Sequence, residues 1–250
     1  MAVLWQKCVQ GTQYEVRTAG HSRRLYTDGV FHSQYNPKRP LTHGVWDLLM
    51  MPALYYPAGK IRRVLVLGVG GGAVIRLLQH FVQPDEIVGI ELNPVHLKIA
   101  KRFFGIHKSI ANLKQADAIE WLKNYKGPAF DMIIDDLYME EAGEPERVIP
   151  LNVSWCTLLR KHTTSDGVVV VNSMSPLELR ESAFISNQRL AKQYPTKIQL
   201  SLPIYENAVG AFFKTETSNK ALKHHLESMG TTSLFKKLGY RQRKIVNRLA

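Results

Sequence analysis

The chain has 250 residues, 45% of them hydrophobic and 22% charged, a balance that suits a globular protein with a sizeable core and excludes a disordered or membrane-embedded chain. No apolar run reaches the roughly 20 residues of a membrane span, and the first residues lack the charged-then-apolar pattern of a secretory leader, so no membrane partner is expected. Cys8 and Cys156 make neither a disulfide framework nor a metal knuckle, and the histidines show no ligand spacing. No metal is expected, and two free thiols point to a reducing cytoplasm. The net charge of +12 is the one unusual quantity.

Residues 1–37 alternate in short segments punctuated by Gly11, Gly20 and Gly29 and predict a small antiparallel β-domain, with Asp28-Gly29 as a hairpin turn. Residues 43–56, rich in Trp, Leu and Met, predict a connecting helix that ends before Pro57. From Arg63 to Lys214 strand and helix patterns alternate. The implied fold class is α/β, a mostly parallel seven-stranded Rossmann-like sheet whose last strand is antiparallel, occupying a domain over residues 38–218. Within it Asn93 caps a helix that Pro94 opens and Gly105 stops. Strands are expected over 112–116, 131–135, 167–172, 196–202 and 209–213, the last two antiparallel across Pro203–Asn207. Residues 219–250 form a basic tail with eight Lys or Arg against one Glu. Its interleaved aromatics and cations suit an acidic partner or nucleic acid. The plainer reading packs Leu234, Phe235 and Leu238 on the body and leaves the lysines in water.

The run Arg63–Leu67 ends abruptly in Gly68-Val69-Gly70-Gly71-Gly72, and a helical pattern restarts at Ala73. A buried strand that stops in glycines and reopens as a helix is a nucleoside-cofactor turn, because a missing Cβ lets the backbone approach a ligand. Glu91 closes the next strand, where a carboxylate accepts from both ribose hydroxyls. Gly68, Gly70 and Gly72 are spaced by two, unlike the dinucleotide fingerprint; the spacing matches the loop that binds S-adenosylmethionine (AdoMet) in class I methyltransferase folds. Asp117, followed by Ala118, ends the third strand, where it can read an adenine amine or simply cap the next helix. Asp135 and Asp136 end the fourth strand, and either can orient an attacking amine and take its proton.

From Tyr26-Thr27-Asp28-Gly29-Val30 through Val209-Gly210-Ala211-Phe212 the chain resembles the spermidine synthases, aminopropyltransferases built on the methyltransferase fold behind a small β-domain. The resemblance implies decarboxylated AdoMet as donor, a small amine as acceptor, Asp136 as base, and Tyr205, in Leu202-Pro203-Ile204-Tyr205, as a residue that holds the polyamine. It also has departures. Gly71 stands where the family loop carries an aspartate, Met139 and Glu140 replace an acid and a proline of the family gate, and His43-Gly44-Val45 replaces an expected Tyr-Gln pair.

A diamine needs carboxylates to replace its water, and two acidic positions are missing. The first expectation is therefore methyl transfer from AdoMet to an amine or other nucleophile. A variant of it aligns Asp135-Asp136-Leu137-Tyr138 with the Asp/Asn-Pro-Pro-Tyr motif of amino-group methyltransferases, which makes Tyr138 a substrate contact. The alternative is aminopropyl transfer, with Glu140, Glu141 and Glu144 restoring the lost charge. The third is a non-catalytic nucleic-acid-binding or scaffold protein. A homodimer is left open.

Overall fold

The structure is a computed structural model that describes residues 1–141 and 144–246, with the side chains of all of these except 140, 141, 144 and 145. Strands β1 (Ala2–Val9), β2 (Thr12–Ala19), β3 (Ser22–Thr27) and β4 (Val30–Tyr35) form an antiparallel meander in that order. Asp28 and Gly29, at φ 45° and 85°, make the expected left-handed turn between β3 and β4. Helix α1 (Val45–Met50) follows and tightens into a 3-10 turn at Met51–Tyr55, where Pro52 removes a backbone donor.

The main domain then alternates β5 (Arg63–Leu67), α2 (Ala73–Phe81), β6 (Glu86–Glu91), α3 (Pro94–Phe103), β7 (Asn112–Gln115), α4 (Ala118–Asn124) and β8 (Phe130–Asp135). A hairpin of β9 (Tyr138–Glu141) and β10 (Glu144–Arg147) precedes α5 (Val153–Lys161) and the long β11 (Thr163–Ser173). Short helices α6 (Pro176–Glu181), α7 (Ala183–Ser186) and α8 (Gln188–Ala191) lead to β12 (Thr196–Ser201) and β13 (Ala208–Phe213). The tail forms α9 (Asn219–Ser228), α10 (Thr232–Lys236) and β14 (Arg241–Lys244).

The large sheet runs β14-β12-β13-β11-β8-β5-β6-β7. β13 lies antiparallel to both β11 and β12, and the pairs from β11 to β7 are parallel. The seven expected strands are there, and the tail adds an eighth, because β14 pairs with β12 from Ile198–Lys244 to Ser201–Arg241. Tyr138–Glu141 and Glu144–Arg147 pair as antiparallel strands. Alternation along the strands sorts their residues onto two cores: Val64, Val66, Met132, Ile134, Val168 and Val170 face one, and Leu65, Leu67, Ile133, Val169 and Val171 the other.

The tail follows its plainer reading. Leu222, Leu226, Phe235 and Leu238 belong to the first core, Phe235 lies 5.2 Å from Phe81 across their rings, and Lys236 and Lys237 are exposed. His225 is buried and donates from Nδ1 to the Tyr56 carbonyl at 2.6 Å. Phe235→Ala is expected to lower unfolding stability by about 3–5 kcal/mol, a full aromatic cavity, whereas Lys237→Ala stays within about 0.5 kcal/mol. Urea denaturation of the two variants checks this contrast.

Candidate active site

The glycine turn is held from two sides by main chain. Below it, Gly68 N donates to the Ile90 carbonyl at 3.0 Å and Asp136 N donates to the Leu67 carbonyl at 2.9 Å. Gly68 has φ +84°, and a Cβ there would collide with the Asp136 carbonyl oxygen. From above comes β4: the His32 carbonyl lies 3.2 Å from where a Gly70 Cβ would stand, and Ser33 Oγ accepts from Ala73 N at 3.3 Å. Ser33 thus gives α2 the capping oxygen that Gly72, its N-cap residue, lacks. At Gly71 a Cβ would sit 2.8 Å from both Phe104 Cζ and Ser33 Cβ. The acid missing from this position has no room.

Glu91 is turned back onto this loop. Its Oε2 accepts from Val69 N at 3.0 Å and Gly70 N at 2.8 Å, and its Oε1 accepts from Asn93 N at 2.8 Å. Burial pushes its pKa up against those three donors. Oε1 keeps lone-pair capacity beyond the Asn93 amide, so the carboxylate can shape the loop and still accept from a ribose.

Two histidines that sequence reading missed stand beside it. The rings of His32 and His96 are 5.0 Å apart, His96 Nε2 is 2.8 Å from Thr27 Oγ1, and His32 Nε2 is buried with no partner among the described residues. Burial holds the pKa of each down to about 4, so both are neutral imidazoles at pH 7. They come from β4 and α3, and no spacing in the sequence announces the pair.

The two adjacent acids at the end of β8 have different surroundings. Asp135 is fully buried, and its Oδ2 accepts from Arg147 Nη2 at 2.7 Å and Trp155 Nε1 at 2.8 Å. That ion pair occupies it, so Asp135 is corrected from candidate base to structural anchor. Arg147, unread in the sequence, also donates to the Asn172 and Ile149 carbonyls. Tyr138 is likewise engaged, its hydroxyl donating to the Asn172 carbonyl at 3.0 Å, and burial raises its pKa. Asp136 accepts at Oδ1 from Asn172 Nδ2 at 2.8 Å, and Asn207 Nδ2 reaches Asn172 Oδ1 at 3.2 Å. Its Oδ2 has no partner among the described residues. Burial, seconded by Asp135 and Glu91, lifts its pKa to about 6.

Asp117 is exposed and caps α4, its Oδ1 accepting from Ile119 N and Glu120 N at 2.9 Å. Ala118 is buried behind it in the second core. Tyr205 lies half-buried between β12 and β13 against the first core. The side chains of Glu140, Glu141 and Glu144 lie outside the described residues. Among the described residues no group of His, Cys, Asp or Glu is placed to hold a metal, and no helix is long and apolar enough to cross a membrane.

Comparison with known proteins agrees with this architecture. The chain is 30% identical over 127 residues to polyamine aminopropyltransferase 2 of Caldanaerobacter subterraneus subsp. tengcongensis; the match covers 49% of this chain and 40% of that relative, so it spans less than half of the relative's length. A probable spermidine synthase from Corynebacterium glutamicum superposes with TM-score 0.73 at 15% identity, covering 98% of this chain and 91% of that one. A spermidine synthase solved with the transition-state analogue AdoDATO gives TM-score 0.64 at 15% identity, covering 95% and 87%. At these identities the two structures share the fold. The spermine/spermidine synthase domain model matches residues 47–224, well over half of the chain, and the protein belongs to that family.

Proposed function

We propose that the protein is an aminopropyltransferase that binds decarboxylated AdoMet across Gly68, Gly70 and Gly72 and passes its aminopropyl group to a primary amine. The observation that carries this reading is Asp136: a carboxylate beside the glycine turn, with one oxygen held by Asn172 and the other without a protein partner. Family membership supports it, and the curated relative quoted above is an aminopropyltransferase. Methyl transfer, the first expectation from sequence, rested on two missing acidic positions, Gly71 and Met139; the family match and the aminopropyltransferase relative favour the alternative instead.

In this reading Glu91 takes the ribose hydroxyls at the end of β6 and Asp117 faces the adenine beyond its cap, with Ala118 behind it. Tyr205 borders the acceptor, and Tyr138 acts indirectly by fixing the Asn172 carbonyl. The bound sulfonium supplies an electrophilic carbon and a neutral thioether as leaving group. The acceptor nitrogen must arrive with a free lone pair, so a proton has to leave it. Asp136, ionised above about pH 6, receives that proton as the new C–N bond forms and the C–S bond breaks. Its Asn172 contact fixes the carboxylate plane.

Incubation of the protein with decarboxylated AdoMet and 1,4-diaminobutane is expected to release 5′-methylthioadenosine and triamine. Release of S-adenosylhomocysteine from AdoMet with no reaction of the decarboxylated form overturns the reading.

Asp136 and Asp135 are expected to separate cleanly. Asp136→Asn keeps its fold and loses activity by about 10²–10⁴-fold, the usual worth of a positioned base. Asp135→Asn instead removes the hydrogen-bonded counter-charge of buried Arg147, leaving it Glu178 at 3.6 Å, and costs about 3–5 kcal/mol of stability. Thermal melts and initial rates on both variants distinguish a base from an anchor.

The acid limb of kcat at saturating substrates should follow Asp136. Its carboxylate is the active form and its pKa is raised, so kcat rises with pH through about 6. A limb centred near 4 instead would remove Asp136 from the role.

A further inference from the structure

Two amide side chains behind Asp136 are joined in series. Residues 202–207 connect β12 to β13 and carry Tyr205; Pro203, Ile204 and Glu206 along this loop are exposed, Ile204 to 79%. Asn207, its last residue, is half-buried, and its Nδ2 donates to Asn172 Oδ1 at 3.2 Å. Asn172 Nδ2 donates in turn to Asp136 Oδ1 at 2.8 Å. The loop that carries Tyr205 therefore reaches the base through one intervening amide.

Chemistry fixes the direction of this chain. An ionised carboxylate only accepts, so Asn172 must present its NH2 end to Asp136, which leaves Oδ1 to meet a donor. Asn207 is that donor. The main chain of Asn172 is held separately: it pairs with Val209 on β13, and its carbonyl accepts from the Tyr138 hydroxyl and from Arg147 Nη1. With the residue itself in place, the orientation of its amide about χ2 is what remains to be set. A reversed amide would turn Oδ1 onto the ionised Asp136 and Nδ2 onto the NH2 group of Asn207, two repulsive contacts. Only a protonated carboxyl could donate to the reversed amide, so the donor on Asn207 favours the ionised acid.

Other groups act on the same carboxyl from the neighbouring elements. Burial is the largest influence and raises its pKa, as do the charges of Asp135 on β8 and Glu91 on β6; the Asn172 hydrogen bond is the largest influence that lowers it, ahead of Arg147 on β10. Tyr138 on β9 stays a neutral phenol. We infer that Asn207 is a positioning residue: it sets the amide orientation of Asn172 and so ties the proton-accepting state of Asp136 to the loop that carries Tyr205. A loop lifted from β11 releases the amide, and the base is ready only when the loop is seated. That Asp136 is the base rests on the aminopropyl-transfer reading.

Two measurements follow Asp136 independently. Carbon-13 NMR of the aspartate carboxyl groups, with the Asp136 resonance assigned through Asp136→Asn, reads its titration without any substrate, and the pH profile of kcat reads it in turnover. In Asn207→Ala both midpoints are expected to move up from about 6 by about 0.5–1 pH unit, with the donor KM unchanged. A loss of packing alone would leave the midpoints in place. Asn172→Ala should move them at least as far, and adding Asn207→Ala to it should produce no further shift, because the amide through which Asn207 acts is gone.

A wild-type titration midpoint in Asn207→Ala overturns the assignment. So does an equal further shift when Asn207→Ala is added to Asn172→Ala, since Asn207 would then act by a route other than this amide. A shifted carboxyl titration in a protein that forms no 5′-methylthioadenosine would retain Asn207 and discard aminopropyl transfer. Turnover of 1,4-diaminobutane, with the acid limb and the carboxyl titration both unmoved in Asn207→Ala, would do the reverse.

Discussion

The closeness with which main chain meets main chain at the glycine turn is the constraint on which the site depends. Three segments converge there: the turn itself, the end of β8 at Asp136, and the middle of β4 at His32 and Ser33. A side chain at Gly68 would push β8 away, and one at Gly71 would push away Phe104 and Ser33. Removing Cβ atoms lets the small β-domain supply the cap of α2 and the roof of the site at once. The glycines therefore hold the two layers together as well as admitting a ligand.

That convergence also decides how the two acids divide their work. The main chain of Asp135 continues β8, pairing with Leu67 and Val171, and its side chain meets the Arg147 guanidinium and the Trp155 indole in the interior. One residue later the chain has left the strand, and Asp136 turns toward Asn172 and the turn. Neighbouring carboxylates would repel if both were free. A buried cation on one leaves the other to respond to desolvation, and the pair becomes one anchor and one titratable group.

Much of this was legible in the sequence because it follows from local rules. The hairpin at Asp28-Gly29, the cap at Asn93, the strand ending in Gly68 and the antiparallel β12–β13 pair all rest on turn chemistry or periodicity within a few residues. Glu91 was found through its distance from the glycines. What escaped depends on contacts between remote segments: Arg147 reaches Asp135 from β10, and His32 meets His96 across 64 positions. The basic tail was legible through its apolar residues. Its cations dominate the composition, yet Leu222, Leu226, Phe235 and Leu238 decide where it lies.

Strand β14 carries a consequence for the behaviour of the protein in a crowded solution. A sheet edge offers unpaired amides and carbonyls on which a second chain can continue the ladder. Without β14 that edge would be β12, whose Ile198 and Leu200 lie in a six-residue strand of the kind that templates growth. The tail covers it with four residues, Arg241-Gln242-Arg243-Lys244, of which three are cationic and exposed. At the opposite margin β7 is equally short and presents Lys114. Two like-charged edges approaching one another repel, so the cations at these two margins oppose edge-to-edge pairing of copies of the chain.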